Sequence, residues 1–414
     1  MRSLNKIVLI SHFCFSVIIT ICLTSFASCL GQTAVNRAEI EVNVTEENLR
    51  AGGSSNEESP INDALNGHFL KKAHEIASSM DNRLLTAQII ISGIDGRGKL
   101  ASDTKALLKG TPAGGIMFFS HNLNTDNNSI RLFISETISA IKDETNIPPF
   151  ITVDHEGGIV FRFGRGVSNL PGAYTYWEKS QKDGRLAVLE KIEEDSLKSG
   201  REIKALGFNM NFAPVVEYIV DENRRFLSGR SYGPDPVFTA QAASAFFHGM
   251  EKSGILCVIK HFPGNAGQDP HISASVINAD KSTLDKYIYP FTVLINLGAR
   301  AVMVAHTSVP AVDRTIATFS PVVMQNWLRG ELGFDGILIS DDLVMAAVGK
   351  IPPEEAAVRS VAAGMDMVLI WPKDLKRTHN ALLAALENGR LPKERLLEAV
   401  KRILYEKLRM GLIE

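Results

Sequence analysis

Hydrophobic and polar positions along this chain fall into blocks. From about Leu70 onward, short apolar runs of four to eight residues are separated by longer amphipathic stretches. The runs cover 87–94, 115–119, 150–153, 209–216, 255–259, 301–305, 337–340 and 365–370. Helical periodicity occupies intervening segments such as 186–206, 237–252, 322–332 and 356–363. Continuous apolar strands separated by helices imply a parallel sheet covered on both faces. Eight such units predict an α/β protein with a single (β/α)8 TIM-type barrel. A doubly wound open sheet is the alternative. No Gly-x-Gly-x-x-Gly follows the first strand, which argues against its dinucleotide-binding version.

Most of these runs end in polar residues. The third leads into Asp154-His155-Glu156, the fifth into Lys260-His261, the sixth into His306 and the seventh into Ser340-Asp341-Asp342. In a barrel these C-terminal ends converge on one mouth, where the chemistry of such folds is done. A single charged strand end can be an ordinary loop start. Several together point to a site.

The first 61 residues read differently. Arg2 and Lys6 precede an apolar stretch over 7–26, and the small residues Ala27 and Ser28 lead into Cys29. This is the layout of a secretory signal, although the stretch is almost long enough for a membrane span. The phrase Phe26-Ala27-Ser28-Cys29 resembles a bacterial lipobox, with Phe in place of the usual Leu. That predicts a lipoprotein-type signal over 1–28, lipidation of Cys29 and export to a membrane-anchored position. The polar stretch 29–61 reads as a disordered tether, and 62–414 as the catalytic body. Of the four cysteines, Cys14 and Cys22 would leave with the signal, Cys29 would be acylated and Cys257 lies in an apolar run. No disulfide is expected.

The chain has 414 residues, 45 % hydrophobic and 22 % charged, with a formal net charge of -2. No global field favours nucleic acid, and no basic stripe interleaved with aromatics is present. His155, His261, His271 and His306 lack the short fixed spacings of a zinc site, so no metal and no cofactor are expected.

Five phrases carry a more specific signal: Asn211-Phe212-Ala213-Pro214-Val215, Gly229-Arg230-Ser231-Tyr232-Gly233, Lys260-His261-Phe262-Pro263-Gly264, Ala305-His306 and Ser340-Asp341-Asp342-Leu343. In this order and spacing the chain resembles glycoside hydrolase family 3. Within it, the likeness is to bacterial single-domain β-N-acetylglucosaminidases that trim peptidoglycan fragments. It runs from about Ala87 to Leu412. The chain ends soon after its last helix, so the resemblance implies the form without a second sandwich domain, acting as a monomer on a carbohydrate.

The resemblance implies roles residue by residue. Asp341 matches the nucleophile of a retaining mechanism. Spacing alone leaves a helix cap equally open. Asp342 is expected to point away from it, because strand side chains alternate. Asp269 and His271 match an aspartate–histidine pair in which histidine is the general acid/base, with Pro270 at the usual serine position. Asn265 stands where histidine is common, and the loop from Gly264 to Asp269 is about two residues shorter than is common. Glu156 is the fallback acid/base. Asp154, Arg162, Arg230, Lys260 and His261 match the glycan-binding set, while Ile159 replaces a common arginine. His306 is left between a core histidine and a site residue, and Glu217 and Asp235 are read as structural. The expected activity is a retaining exo-β-N-acetylglucosaminidase. Alternatives are another family 3 exo-β-glycosidase such as a β-glucosidase, a phosphorylase, or a glycan-binding lipoprotein without catalysis.

Overall fold

The computed structural model describes residues 60–227, 229–267 and 272–414, with side chains from Leu65 onward. The signal, Cys29 and the tether up to residue 59 lie outside the described residues, as do Asp269, Pro270 and His271.

Eight strands close into a parallel barrel. They are β1 (Ile90–Gly93), β2 (Gly115–Phe118), β3 (Phe150–Val153), β4 (Met210–Asn211), β5 (Leu256–Phe262), β6 (Ala301–Val304), β7 (Ile337–Asp342) and β8 (Met367–Ile370). Their order is sequential around the barrel, and β1 pairs with both β2 and β8. All eight coincide with the apolar runs, and the open-sheet alternative is set aside. These runs do not alternate because the barrel interior buries one face of each strand and the helices bury the other. Residues 150–153, for example, are all fully buried.

The helices wrap the outside. Arg185–Leu206 packs against Pro236–Lys252, and Asp235 caps the latter by accepting the N–H groups of Val237 and Phe238. Asp235 is therefore structural, a standard N-cap. The stretch expected as helix over 322–332 is wound as a π-helix, Val322–Glu331. A helix over Pro60–Ser79 has no counterpart in the sequence reading, and the expected start of the body at 62 falls inside it. Its apolar positions are sparse. It is held by packing on the C-terminal helix Lys393–Arg409, where Tyr405 Oη donates to Asn66 at 3.0 Å.

Two irregularities in the strand pairing shape the mouth. Ile259 pairs with Val302 but Phe262 with Val304, so β5 carries one extra residue there. Ile339 pairs with Met367 but Asp342 with Leu369, and β7 likewise gains one. Such bulges re-aim side chains at barrel rims. They fall at Lys260-His261 and at Ser340-Asp341.

A small sheet caps one side of the mouth. It joins Ser275–Val276 from the loop after β5 to Thr307–Val309 and Asp313–Ile316 from the loop after β6.

Candidate active site

The barrel mouth holds a cavity of about 330 Å³, at the small end of the range of roughly 300–1,000 Å³ for small-ligand sites. Even and odd strands contribute differently. Its floor is apolar, made by Met117 of β2, Phe212 just beyond β4, Met303 of β6 and Leu369 of β8. This is a layer from alternate strands, as eight-stranded barrels build them. Most polar groups come from the odd strands: Asp154 and Glu156 after β3, Lys260 and His261 on β5, Asp341 and Asp342 on β7, with Arg230 added from the loop after β4.

A charge network fixes one side. Lys260 Nζ lies 2.8 Å from Asp154 Oδ1 and 2.6 Å from Glu156 Oε1. Arg230 grips Glu156 with two parallel hydrogen bonds of 2.8 Å, and Arg162 reaches Asp154 at 3.2 Å. Burial alone would push the Glu156 carboxyl up, but Arg230 and Lys260 hold it well below the usual carboxylate range. A carboxylate held ionised in this way is a poor proton donor, so Glu156 does not fit the fallback role of acid/base. Asn211 sets the register of this corner. Its amide accepts from His155 N at 2.9 Å and donates to His155 O at 3.0 Å, tying the end of β3 to β4.

Arg162 arrives by a tight turn. Gly157 and Gly158 have φ of 94° and 57°, and a Cβ on Gly157 would stand 2.7 Å from Leu170 Cβ. The chain then doubles back through the Gly157–Val160 bridge, which brings Val160 and Arg162 into the cavity wall.

On β5, His261 is oriented by Glu217. Its Nδ1–H donates to Glu217 Oε1 at 2.6 Å, while Asn265 donates to Glu217 Oε2 at 3.1 Å. A carboxylate can only accept here, so the proton sits on Nδ1 and Nε2 is left for the cavity. The sequence suggests only a structural role for Glu217. The structure gives it a more specific task, positioning a site histidine. Nothing in its local sequence shows this, since the two residues are 44 apart.

Asp341 lies on the opposite side of the barrel, β7 being four strands from β3. Burial raises its carboxyl, but His261, His306, the N–H of Asp342 and Lys260 outweigh this and hold it below its ordinary value. It is therefore an ionised, partly desolvated carboxylate facing a sugar-sized cavity, which is what a nucleophile requires.

The expectation that Asp342 points away is corrected. The bulge in β7 turns both aspartates to the cavity. Asp342 Oδ2 accepts from Trp371 Nε1 at 2.7 Å and Oδ1 from Val344 N at 3.0 Å. Trp371 in turn stacks on Phe119, with ring centroids 4.9 Å apart and planes 7° from parallel. Both rings line the cavity, and neither belongs to the phrases that carry the family resemblance. The strand-end rule could have found them, since Phe119 follows β2 and Trp371 follows β8 directly.

The other histidines divide. His306 is buried. Its Nε2 donates to Asp342 O at 2.9 Å and its Nδ1 meets Thr318 Oγ1 at 2.6 Å. It is thus a hydrogen-bonded core histidine that lies close enough to Asp341 to act on its charge. His155 is sealed against Phe161 and Phe163 and bonds Ser199, and burial lowers its pKa to about 4. Among the described residues, no three His, Cys, Asp or Glu side chains converge as a metal site.

The loop that carries Asp269 and His271 is stapled at its base. Ser275 Oγ bonds both the N–H and the carbonyl of Ala266, at 3.2 and 3.1 Å. Asn265 is buried, accepts from Thr307 Oγ1 at 2.8 Å, and its carbonyl accepts from Asn223. It serves here as a structural joint.

The model of the glycosyl hydrolase family 3 N terminal domain matches residues 80–405. A beta-hexosaminidase of Methylococcus capsulatus is 33 % identical over 298 residues, covering 70 % of this chain and 84 % of that protein. One of Stenotrophomonas maltophilia is 32 % identical over 296 residues, covering 69 % and 84 %. Among solved structures, a family 3 β-N-acetylglucosaminidase from Paenibacillus sp. superposes with a TM-score of 0.76 at 32 % identity. That match covers 81 % of this chain and spans 63 % of the Paenibacillus protein's own length. M tuberculosis LpqI superposes with a TM-score of 0.71 at 27 % identity, covering 80 % of this chain and 95 % of that one. With the barrel, the half-buried ionised aspartate at its mouth and a family match over most of its length, this chain belongs to glycosyl hydrolase family 3 and is a glycoside hydrolase.

Proposed function

We propose that the enzyme is a retaining exo-β-N-acetylglucosaminidase acting on peptidoglycan fragments, exported and anchored to a bacterial membrane through Cys29. One observation carries the catalytic part. Among the described residues four carboxylates line the cavity, and of these Asp341, whose Oδ1 accepts the Asp342 N–H, is the one with an oxygen left for the substrate. Asp154 and Glu156 are tied to cations, and both oxygens of Asp342 already accept hydrogen bonds. Two-carboxylate glycosidases need a second, protonated acid. Burial raises the Asp342 carboxyl, but both of its oxygens are held by the Val344 N–H and the Trp371 indole, so the acid/base is sought on the neighbouring loop. His271, on the loop after β5, is the candidate, and the beta-hexosaminidase relatives favour the N-acetyl substrate.

The mechanism has two steps. Asp341 attacks the anomeric carbon while the C–O bond to the aglycone breaks, and His271 gives its proton to the departing oxygen. In the second step, His271 takes a proton from water, the hydroxide attacks the same carbon, and the Asp341 ester bond breaks. Two inversions retain the β configuration. Asp154, Lys260, Arg162, Arg230 and His261 offer the fixed donors and acceptors that hold sugar hydroxyls.

The discriminating measurement compares nitrophenyl β-N-acetylglucosaminide with nitrophenyl β-glucoside, each with and without inorganic phosphate. Turnover of the first alone, to free N-acetylglucosamine, supports the proposal. Preference for the glucoside would favour a β-glucosidase, and a sugar 1-phosphate product would favour a phosphorylase. Either outcome overturns it. A disaccharide and a muropeptide ending in N-acetylglucosamine then test the natural substrate.

A further inference from the structure

A second cavity, of about 540 Å³, adjoins the catalytic one. Arg162 lines both. The aromatic stack also bridges them: Phe119 lines the first, His121 lines the second, and their rings are nearly parallel, 9° apart at 6.0 Å. Arg97 completes the cationic side. Its guanidinium leans on Asn124 O through Nε, at 2.9 Å, and through Nη2. No Asp or Glu is among the residues lining this second cavity. Arg162 is paired with Asp154 from the side of the main cavity, whereas Arg97 and His121 meet no carboxylate among the residues that line the second one.

We infer that this cavity is an accessory subsite for an oxyanion ester, a sulfate or phosphate, carried on the sugar that the enzyme removes. The inference rests on the hexosaminidase reading of the main site. The position of the ester follows from barrel geometry. Asp341, on β7, marks the anomeric end of the sugar. The second cavity is built from loops after β1, β2 and β3, on the Arg162 side of the mouth, and β3 is diametrically opposite β7. A group entering it is attached at the end of the ring remote from the broken bond, at O6 or O4. Arginine suits the task because its planar fork binds oxyanions through paired hydrogen bonds and stays charged at any working pH. The main cavity has no such reserve, because Arg162, Arg230 and Lys260 are already matched to carboxylates, which leaves Arg97, with His121 beside it, to meet the oxyanion.

The experiment compares nitrophenyl N-acetylglucosaminide with its 6-sulfate and 6-phosphate on the full chain. The native enzyme should turn over the 6-esters with kcat/KM at least equal to that of the unsubstituted glycoside. Arg97→Ala and His121→Ala should each cut the 6-ester values by about tenfold and leave the unsubstituted value within about twofold. High salt should act on the same substrates selectively. Retained turnover of the unsubstituted glycoside also shows that the variants fold. Rejection of both 6-esters by the native enzyme, or equal losses on all substrates in the variants, would overturn the subsite. If the ester effect appears only as competition by free sulfate or phosphate, the cavity binds loose anions and the proposal also fails. Absence of activity on the unsubstituted glycoside would instead count against the hexosaminidase reading itself.

Discussion

Asp342 and Trp371 are joined by a 2.7 Å hydrogen bond from the indole to the carboxylate, one strand apart at the barrel mouth. The bond gives the two adjacent aspartates separate tasks. Asp341 keeps an oxygen open to the cavity, and Asp342 fixes an aromatic wall. Asp341→Asn should therefore fold normally and lose kcat by about four orders of magnitude, and an activated fluorosugar should no longer label it. Asp342→Asn should raise KM by about three- to tenfold through a loosened Trp371, with kcat nearly kept. Trp371→Ala should behave like Asp342→Asn. If Asp342→Asn is the inactive variant and Asp341→Asn the mild one, the assignment is reversed.

Glu217 is a positioning residue: its carboxylate holds His261 and Asn265 and does not line the cavity itself. Glu217→Gln keeps an acceptor for Nδ1–H and should lower kcat/KM by about tenfold. Glu217→Leu strands both His261 and Asn265 and should lose more. Glu217→Asp should recover part of the Leu deficit. Kinetics equal to wild type for both Gln and Leu would remove this role.

His271 should show its role through the leaving group. A sugar alcohol needs protonation to depart and a nitrophenolate does not. His271→Ala should lose far more kcat/KM on a disaccharide than on the nitrophenyl glycoside. On the latter it should give a burst followed by slow turnover that azide accelerates, with a lowered KM. Asp269→Asn should give a weaker form of the same pattern. Equal losses on both substrates, without a burst, would leave His271 a binding residue.

Lys407 lies fully buried under the barrel. Its Nζ is 3.0 Å from Gln88 Oε1 and 5.1 Å from the centre of the Phe150 ring, and burial lowers its pKa to about 7. The unfolded lysine keeps its proton up to an ordinary pKa of about 10.5. Above that, neither state is charged and there is no penalty. As pH falls from there to about 7, only the unfolded state is protonated, so stability drops, by at most about 1.4 kcal/mol per pH unit. Below the folded pKa the penalty stops growing. Lys407→Met with Gln88→Leu should raise Tm at pH 7 and flatten its rise between pH 7 and 10. An unchanged pH profile in the double variant would show that Lys407 stays charged in the folded protein.

Membrane attachment should depend on one thiol. Cys29→Ala should lose lipid labelling and leave the membrane fraction, because a diacyl anchor is the strong term in such binding. Labelled, sedimenting Cys29→Ala protein would rule out the lipobox.

The barrel was legible because its signal is local. Each of the eight strands is a continuous apolar run, and burial on both faces writes that run into the sequence whatever its neighbours are. The helix Pro60–Ser79 was not legible, since it is stabilised by a partner more than three hundred residues away, as the Tyr405–Asn66 bond shows. The site divides in the same way. Asp154, Lys260, His261 and Asp341 could be read as residues at strand ends. That Asp154 and Lys260 form an ion pair across 106 residues of chain could not.

What the sequence alone determined is which side chains reach the mouth, because the order of strands and the position of each residue along its strand are properties of the chain. What only the tertiary structure decided is how they face and whom they meet. A bulge is set by hydrogen bonding to the neighbouring strand, so only the folded barrel could turn both Asp341 and Asp342 inward. Only there do Glu217 meet His261, and Trp371 meet both Asp342 and Phe119. Those pairings carry orientation and charge, which depend on distances through space that spacing along the chain does not encode.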